Sequence, residues 1–231
     1  MRICVLDAST QVASVAMMED GKLVYEANLT HGLTHSEKLM PLVDAAFTLT
    51  GWEPESIDVF GVVEGPGSFT GLRIGVSAVK GLAQAAGKPV TGVGTLDVLA
   101  MNVPHFAGVI APILDARRGE VYGALFHWHD NRLVRETGDL AIPLDELLEE
   151  IEKRGQPALF MGDGMLVHKE TIVNRLGDMA HFAPESHRLQ RAASAAMLVW
   201  ERAKAGLVHS AGELTPRYVR SSNAKKAAWL K

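Results

Sequence analysis

Cysteine is almost missing from this 231-residue chain: Cys4 stands alone, which excludes an intramolecular disulfide and any zinc site built on several thiolates. It lies in the apolar run ICVLDA, where a buried, inert thiol is expected rather than a nucleophile. Long apolar runs are missing too. No segment reaches the about 18 residues of a membrane span, and the start MRICVLDASTQ has too short an apolar run for a signal peptide, so a cytoplasmic protein with no membrane role is expected. Nor is there an excess of positive charge. With 23 Lys and Arg against 27 Asp and Glu, the formal net charge is −4, and the chain lacks the field that draws a protein onto nucleic acid. Any RNA role therefore requires a partner or a local patch.

What is present is an ordinary globular balance, 47% hydrophobic and 22% charged, on a chain long enough for two lobes. Self-comparison supports two. Residues 6–24, LDASTQVASVAMMEDGKLV, resemble residues 114–134, LDARRGEVYGALFHWHDNRLV. Each copy runs from an apolar strand ending in Leu-Asp-Ala through a polar stretch into an alternating strand. Each then turns at Asp20-Gly21 or Asp130-Asn131, residues that tolerate the positive φ of tight hairpins, and returns through Leu-Val. Asp7 and Asp115 stand 108 residues apart. The expected lobes are 1–105 and 106–231, the second more degraded and carrying the C-terminal helix and a basic tail.

Thr34-His35-Ser36-Glu37 fits a capping box, and Leu39, Leu42, Val43, Ala46 and Phe47 follow at helical spacing, with Pro41 expected to kink the helix. A strand at about 58–64, a helix at 70–86 and the strand PVTGVG complete the order β-β-β-α-β-α-β-α. In the second half, DELLEEIEKRG reads as a helix, PALFMG as a strand and RLQRAASAAMLVWERAKAG as one long helix. Three hairpin-linked strands followed by alternating helices and strands, duplicated, is the arrangement of the two-lobed actin, sugar-kinase and Hsp70 ATPase class, an α/β fold of ribonuclease H-like lobes. Fold alone does not give function.

In that class the turns after the Asp-bearing strands hold phosphate. Asp7 with Ser9 and Thr10, and Asp115 with Arg117, are thus candidates for nucleotide and Mg²⁺, as in an ATP-dependent small-molecule phosphotransferase. The alternative is that each aspartate caps its own tight turn. The second half has no glycine-rich phosphate loop beyond the short MGDG at 161–164.

The stretch VVEGPGSFTGLRIGVSAVKGLA, residues 62–83, resembles a phosphate cradle, but it lacks the Gly-Lys-Ser/Thr ending and the G-x-G-x-x-G spacing. Free N–H groups near Ser68 and Thr70 leave a weak anion candidate. On the helix, Arg73, Ser77, Lys80 and Gln84 form a polar stripe opposite Gly71, Gly75, Ala78 and Leu82, with Leu72, Ile74, Val76 and Val79 filling the rest. Gly71, Gly75 and Gly81 together forgo about 2 to 3 kcal/mol of helix stability against alanine, so a close neighbour is expected. That neighbour is the chain's own sheet or a partner's helix. His31 and His35 share an i, i+4 spacing without a third ligand, and the tail RYVRSSNAKKAAWLK carries Arg217, Arg220, Lys225, Lys226 and Lys231 with no acid, reading as a solvated end.

LDASTQVASVAM, HSEKLMP, EGPGSFTGLRIGVSAVKGLA, ILDARRGEVYGALF and LTPRYVR, in this order along the chain, resemble the bacterial TsaB family, also called YeaZ, most strongly over 1–125 and 214–220. The resemblance implies a non-catalytic subunit, without a cofactor, in making N6-threonylcarbamoyladenosine at position 37 of tRNAs reading ANN codons. It implies a heterodimer with the similar catalytic subunit TsaD, joined by the ATPase TsaE, homodimers through the same surface when TsaD is absent, and tRNA contact only through the complex. The dimerisation surface corresponds to helices at 35–50 and 70–86, with Leu39, Leu42, Ala46, Leu72, Gly75, Val76, Val79 and Leu82 as interface candidates. Where TsaD carries the two histidines of its metal site this chain has Thr95 and Leu99, with Gly94 at the preceding Asn position, so no metal is expected. A peptidase reading finds no support, since Ser68 and Ser77 have no visible His and Asp partners.

Overall fold

The structure, a computed structural model, describes residues 1–30 and 35–219. Thr34, His31 and the tail residues Arg220, Lys225, Lys226 and Lys231 lie outside the described residues, and with them the capping box, the histidine pair and the basic end. The chain packs as two units, residues 1–98 with 190–218, and residues 99–189.

The first unit opens with β1 (Arg2–Asp7), β2 (Ala13–Glu19) and β3 (Lys22–Leu29), an antiparallel meander whose β2–β3 turn places Asp20 and Gly21 at φ 48° and 79°. After it come α1 (His35–Thr50), β4 (Val59–Gly65), α2 (Phe69–Ala86), β5 (Val90–Gly94) and the first turn of α3 (Thr95–Met101), whose residues from Leu99 on belong to the second unit. The sheet order is β3-β2-β1-β4-β5, with β4 and β5 parallel to β1. Because β1 is covered on both faces it is a continuous apolar run rather than an alternating one. Cys4, Leu6, Val15 and Met17 pack in one core with α1 and α2, while Ile3, Val5, Ala16 and Met18 lie in the other. Burial holds the Cys4 thiol up at about 12, so it is an inert core group. The helix α1 continues past Pro41, which is exposed.

In the second unit β6 (Val109–Arg117), β7 (Glu120–Gly123), β8 (Phe126–His129), β9 (Arg132–Arg135) and β10 (Leu140–Pro143) precede α4 (Leu144–Arg154), β11 (Ala158–Met161), α5 (Gly164–Val167), α6 (Lys169–Leu176), β12 (Ala180–Phe182) and α7 (Glu185–Arg188). The order β10-β7-β6-β11-β12 repeats the first sheet strand for strand. The duplicated, two-lobed α/β class is therefore the observed fold. One detail of the repeat differs from expectation. The strand matching β3 is β10, whereas the Asp130-Asn131 turn closes a separate hairpin of β8 and β9, with β8 pairing to the start of β6 through Ile110 and Phe126. The break falls after Gly123, where the Leu125 N–H leaves the ladder for the Thr137 hydroxyl at 2.9 Å.

The expected long last helix is also divided: α7 ends at Arg188 and α8 (Ala192–Lys204) follows separately. It does not belong to the second half, as the boundary at 106 requires. Ala192, Ala195, Ala196 and Val199 pack on the second face of the first sheet with Ile3, Val5, Ala16, Met18 and Val93. That face would otherwise expose a row of aliphatic side chains, and the small residues of α8 let it approach closely. At Gly61 a Cβ would stand 2.5 Å from a Val199 methyl. Side chains of β3 receive the helix start: Asn28 Oδ1 accepts from the Ala192 N–H, and Glu26 accepts from the Ala193 N–H and pairs with Arg191 at 2.6 Å. Among the described residues no helix is long and apolar enough to cross a membrane.

Candidate protein interface

Ser68 caps α2 by accepting the Gly71 N–H on its Oγ at 3.2 Å, and its own N–H donates to the Ser9 carbonyl oxygen at 2.6 Å. Two of the N–H groups at this helix start, those of Ser68 and Gly71, are thus engaged within the chain; Thr70 is exposed. At the far end Gly87 adopts φ 66° and its N–H returns to the carbonyls of Ala83 and Gln84.

The inner face of α2 is the chain's own core. Leu72, Val76 and Val79 are buried, as are Leu39 and Ala46 of α1, and Gly75 is buried beside them. Six of the eight interface candidates are therefore turned inward, because a helix on a two-faced sheet commits its most apolar side to that sheet. Leu42 and Leu82 are half-buried and reach the outer side. The glycines divide the same way. At Gly71 a Cβ would lie 2.0 Å from the Ala8 carbonyl oxygen, so the loop after β1 is the close neighbour there. At Gly75 it would meet only ordinary contacts at 3.6 Å and beyond, and at Gly81 nothing within 4 Å.

Gly81 lies on an outer surface with Ile74, Ala78, Leu82 and Ala85, all half-buried or exposed, and α1 adds Leu42, Ala45 and Leu49 at i, i+3 and i+7. Leu49 is 74% exposed and Met40 45%. Where α2 begins, Phe69 is 54% exposed and stacks on Tyr218 with ring centroids 5.1 Å apart. Arg73 lies over the Phe69 ring and donates from Nε to the Tyr218 hydroxyl at 3.0 Å. Sequence reasoning missed Phe69 and Tyr218, although an aromatic beside a helix cap and the motif LTPRYVR were both visible. The motif is strapped down: Lys80 Nζ donates to the Gly212 and Leu214 carbonyls at 3.2 Å, and the Arg217 N–H to the Glu64 carbonyl at 2.7 Å. Arg217, expected in a free basic tail, is paired through its guanidinium with Glu64.

The two aspartates behave alike. Asp7 Oδ1 accepts the Ser9 N–H at 2.7 Å and Asp115 Oδ1 the Arg117 N–H at 2.9 Å, each closing its own turn two residues on. Asp7 is fully buried, and loss of water pushes its carboxyl up to about 6. Among the described residues its Oδ2 meets no hydrogen-bond partner in good geometry. In the second unit Asp115 also pairs with Arg117 at 3.4 Å and donates its N–H to Asp163. The His35 Nε2–H donates to the Thr10 carbonyl oxygen at 2.5 Å, a structural bond. Among the described residues no group of three or more His, Cys, Asp or Glu could hold a metal ion. Thr95 and Leu99, at the expected histidine positions, are both fully buried, and neither replaces an imidazole.

Residues 32–228 match the family model described as TsaD, tRNA N6-adenosine threonylcarbamoyltransferase. With the duplicated sheet order, this places the chain in the class of two-lobed α/β proteins that contains that transferase. A tRNA threonylcarbamoyladenosine biosynthesis protein TsaB of Bacillus subtilis (strain 168) is 32% identical over 230 residues, covering 100% of this chain and 98% of the relative. TsaB of Escherichia coli (strain K12) is 33% identical over 152 residues, 65% of each chain. A solved Pseudomonas aeruginosa structure, described as an uncharacterized protein with similarity to peptidase YeaZ, superposes with a TM-score of 0.83 at 25% identity, covering 95% of this chain and 99% of that one. The chain belongs to the TsaB family.

Proposed function

We propose that this protein is a non-catalytic scaffold and dimerisation subunit in N6-threonylcarbamoylation of adenosine 37 in tRNAs reading ANN codons. It pairs with a TsaD-type catalytic subunit and works with a TsaE-type ATPase in the cytoplasm. Alone, it pairs with itself through the same face. The carrying observation is the outer surface of α1 and α2, where Leu49 and Phe69 are exposed and Gly81 has open space in place of a neighbour. An apolar, small-residue surface of this kind suits a partner helix at close range, with Phe69, Arg73 and Tyr218 as the aromatic and arginine anchors typical of interface centres. The working interface is thus Leu42, Leu49, Phe69, Ile74, Ala78, Gly81 and Leu82 rather than the inward residues.

The phosphotransferase reading is weaker, because Asp7 and Asp115 each spend an oxygen closing their own turns. The test is omit-one reconstitution with the chain's own TsaD and TsaE. Modification of tRNA should vanish without this chain, and the chain alone should modify nothing. Transfer by the chain alone, or full modification without it, would overturn the proposal.

A further inference from the structure

The two Leu-Asp-Ala hairpins are built alike but end differently. After Asp7 the turn is folded inward, with Ser9 and Thr10 buried. After Asp115 it projects outward as Arg117-Arg118-Gly119, all three exposed, with φ of 69°, 56° and 78°. The ladder between β6 and β7 slips between Asp115 and Arg117, so this tip is also a bulge. Left-handed backbone is ordinary for glycine and tolerable for Asn and Asp, and the other two hairpin turns use Asp20-Gly21 and Asp130-Asn131. Among the described residues, here alone two long cationic side chains occupy consecutive left-handed positions, a strained choice that an Asn-Gly pair would relieve. Strain at an exposed site, held in place by the fold, points to a use for the side chains themselves.

What they present is two guanidinium groups at one tip. The Arg117 side chain is 87% exposed and only loosely paired with Asp115 at 3.4 Å. Arg118 makes no hydrogen bond or ion pair among the described residues. A Cβ on Gly119 would meet no other segment of the described residues within 4 Å, so nothing packs over this exposed tip. Small anionic ligands are held in concave sites, whereas a projecting arginine pair fits the backbone of an extended polyanion, each planar fork taking a phosphate. With a net charge of −4 the protein has no global attraction for such a chain, and contact must come from a local patch of this kind. We propose that Arg117 and Arg118 form a phosphate-backbone contact for RNA, the substrate class of the pathway assigned above; the inference deepens that reading by naming where this chain meets it.

The test is fluorescence anisotropy of labelled, unmodified tRNA titrated with the full chain, from about 50 mM salt upward. Arg117→Asn with Arg118→Gly removes both charges while relaxing the turn. It should weaken binding roughly tenfold or more and lower the slope of log affinity against log salt by about 2. Its thermal midpoint should hold or rise, which separates lost contact from lost fold. Lys22→Ser with Arg132→Ser removes equal charge from exposed positions at the two other hairpins and should change affinity much less. Arg118→Lys, which keeps the charge, should retain most binding. No tRNA binding by the natural chain, equal loss in the control pair, or unchanged binding after removal of both arginines would each overturn the proposal. So would competition by polyglutamate or ATP as effective as competition by unlabelled RNA. Co-purification with the catalytic subunit, measured on the same variants, should be unchanged; its loss would instead count against the pairing face.

Discussion

Gly81 separates folding from partnering more cleanly than any other position. It sits in the interior of α2, is exposed, and beyond its chain neighbours and the helix's own backbone no atom of the described residues lies within 4 Å of a prospective Cβ. Glycine inside a helix is about 0.8 to 1.0 kcal/mol less favourable than alanine, because the unfolded chain has more freedom to lose. Gly81→Ala should therefore stabilise the isolated chain by about 1 kcal/mol, a rise of roughly 2 to 4 °C in thermal midpoint for a chain this size. Gly71→Ala, on the same helix, is the opposing control: its Cβ would meet the Ala8 carbonyl oxygen at 2.0 Å, and a loss of about 1 to 3 kcal/mol follows from forcing the loop apart. Gly81→Gln should keep most of the helix gain while placing a long side chain where a partner helix must approach. Pairing should weaken at least tenfold, about 1.4 kcal/mol. The assay is thermal melting at several protein concentrations, to separate self-association from folding, together with titration calorimetry against the TsaD-type subunit. If Gly81→Ala lowers stability, the chain itself uses the glycine. If Gly81→Gln pairs normally, the outer face of α2 is not the interface.

Two further outcomes follow from the core of the first unit. Asp7 is buried, with its carboxyl raised from an ordinary 3.8 to about 6, so the folded protein holds a proton that the unfolded chain releases near pH 4. Its contribution to stability falls as pH rises from about 4 to 6 and is flat above, a change of about 2 to 3 kcal/mol. Asp7→Asn keeps an acceptor for the Ser9 N–H without the charge. The urea midpoint of this variant minus that of the natural chain should grow between pH 4 and 6, and a constant difference would show that Asp7 does not titrate there. Gly61→Ala should destabilise by about 1 to 3 kcal/mol through collision with Val199, and Val199→Ala should recover part of that loss in the double variant. Strict additivity in urea unfolding would mean that α8 does not pack there.

Much of the fold was legible because it rests on local rules. The hairpin turns at Asp20-Gly21 and Asp130-Asn131 follow from turn chemistry within a few residues, and the strand at about 58–64 and the helix at 70–86 from the spacing of apolar residues. The turn-closing aspartates were legible in the same way, as one of two readings. The interface was read less well. Periodicity marks α2 as apolar around most of its circumference, and a partner and a sheet ask for the same residues, so it does not separate the outer face from Val76 and Val79, which share a core with Leu6 and Val62, or from buried Leu72.

By itself, then, the sequence determined the duplicated order of elements, the helix at 70–86 with its three glycines, and the departure from imidazole at Thr95 and Leu99. Only the tertiary structure decided which glycine meets the chain and which meets open space, that α8 crosses back to cover the first sheet, and that β10 rather than β9 completes the second. These depend on contacts between segments far apart in sequence, such as Val199 against Gly61, and an amphipathic pattern states that a face must be covered without stating by what.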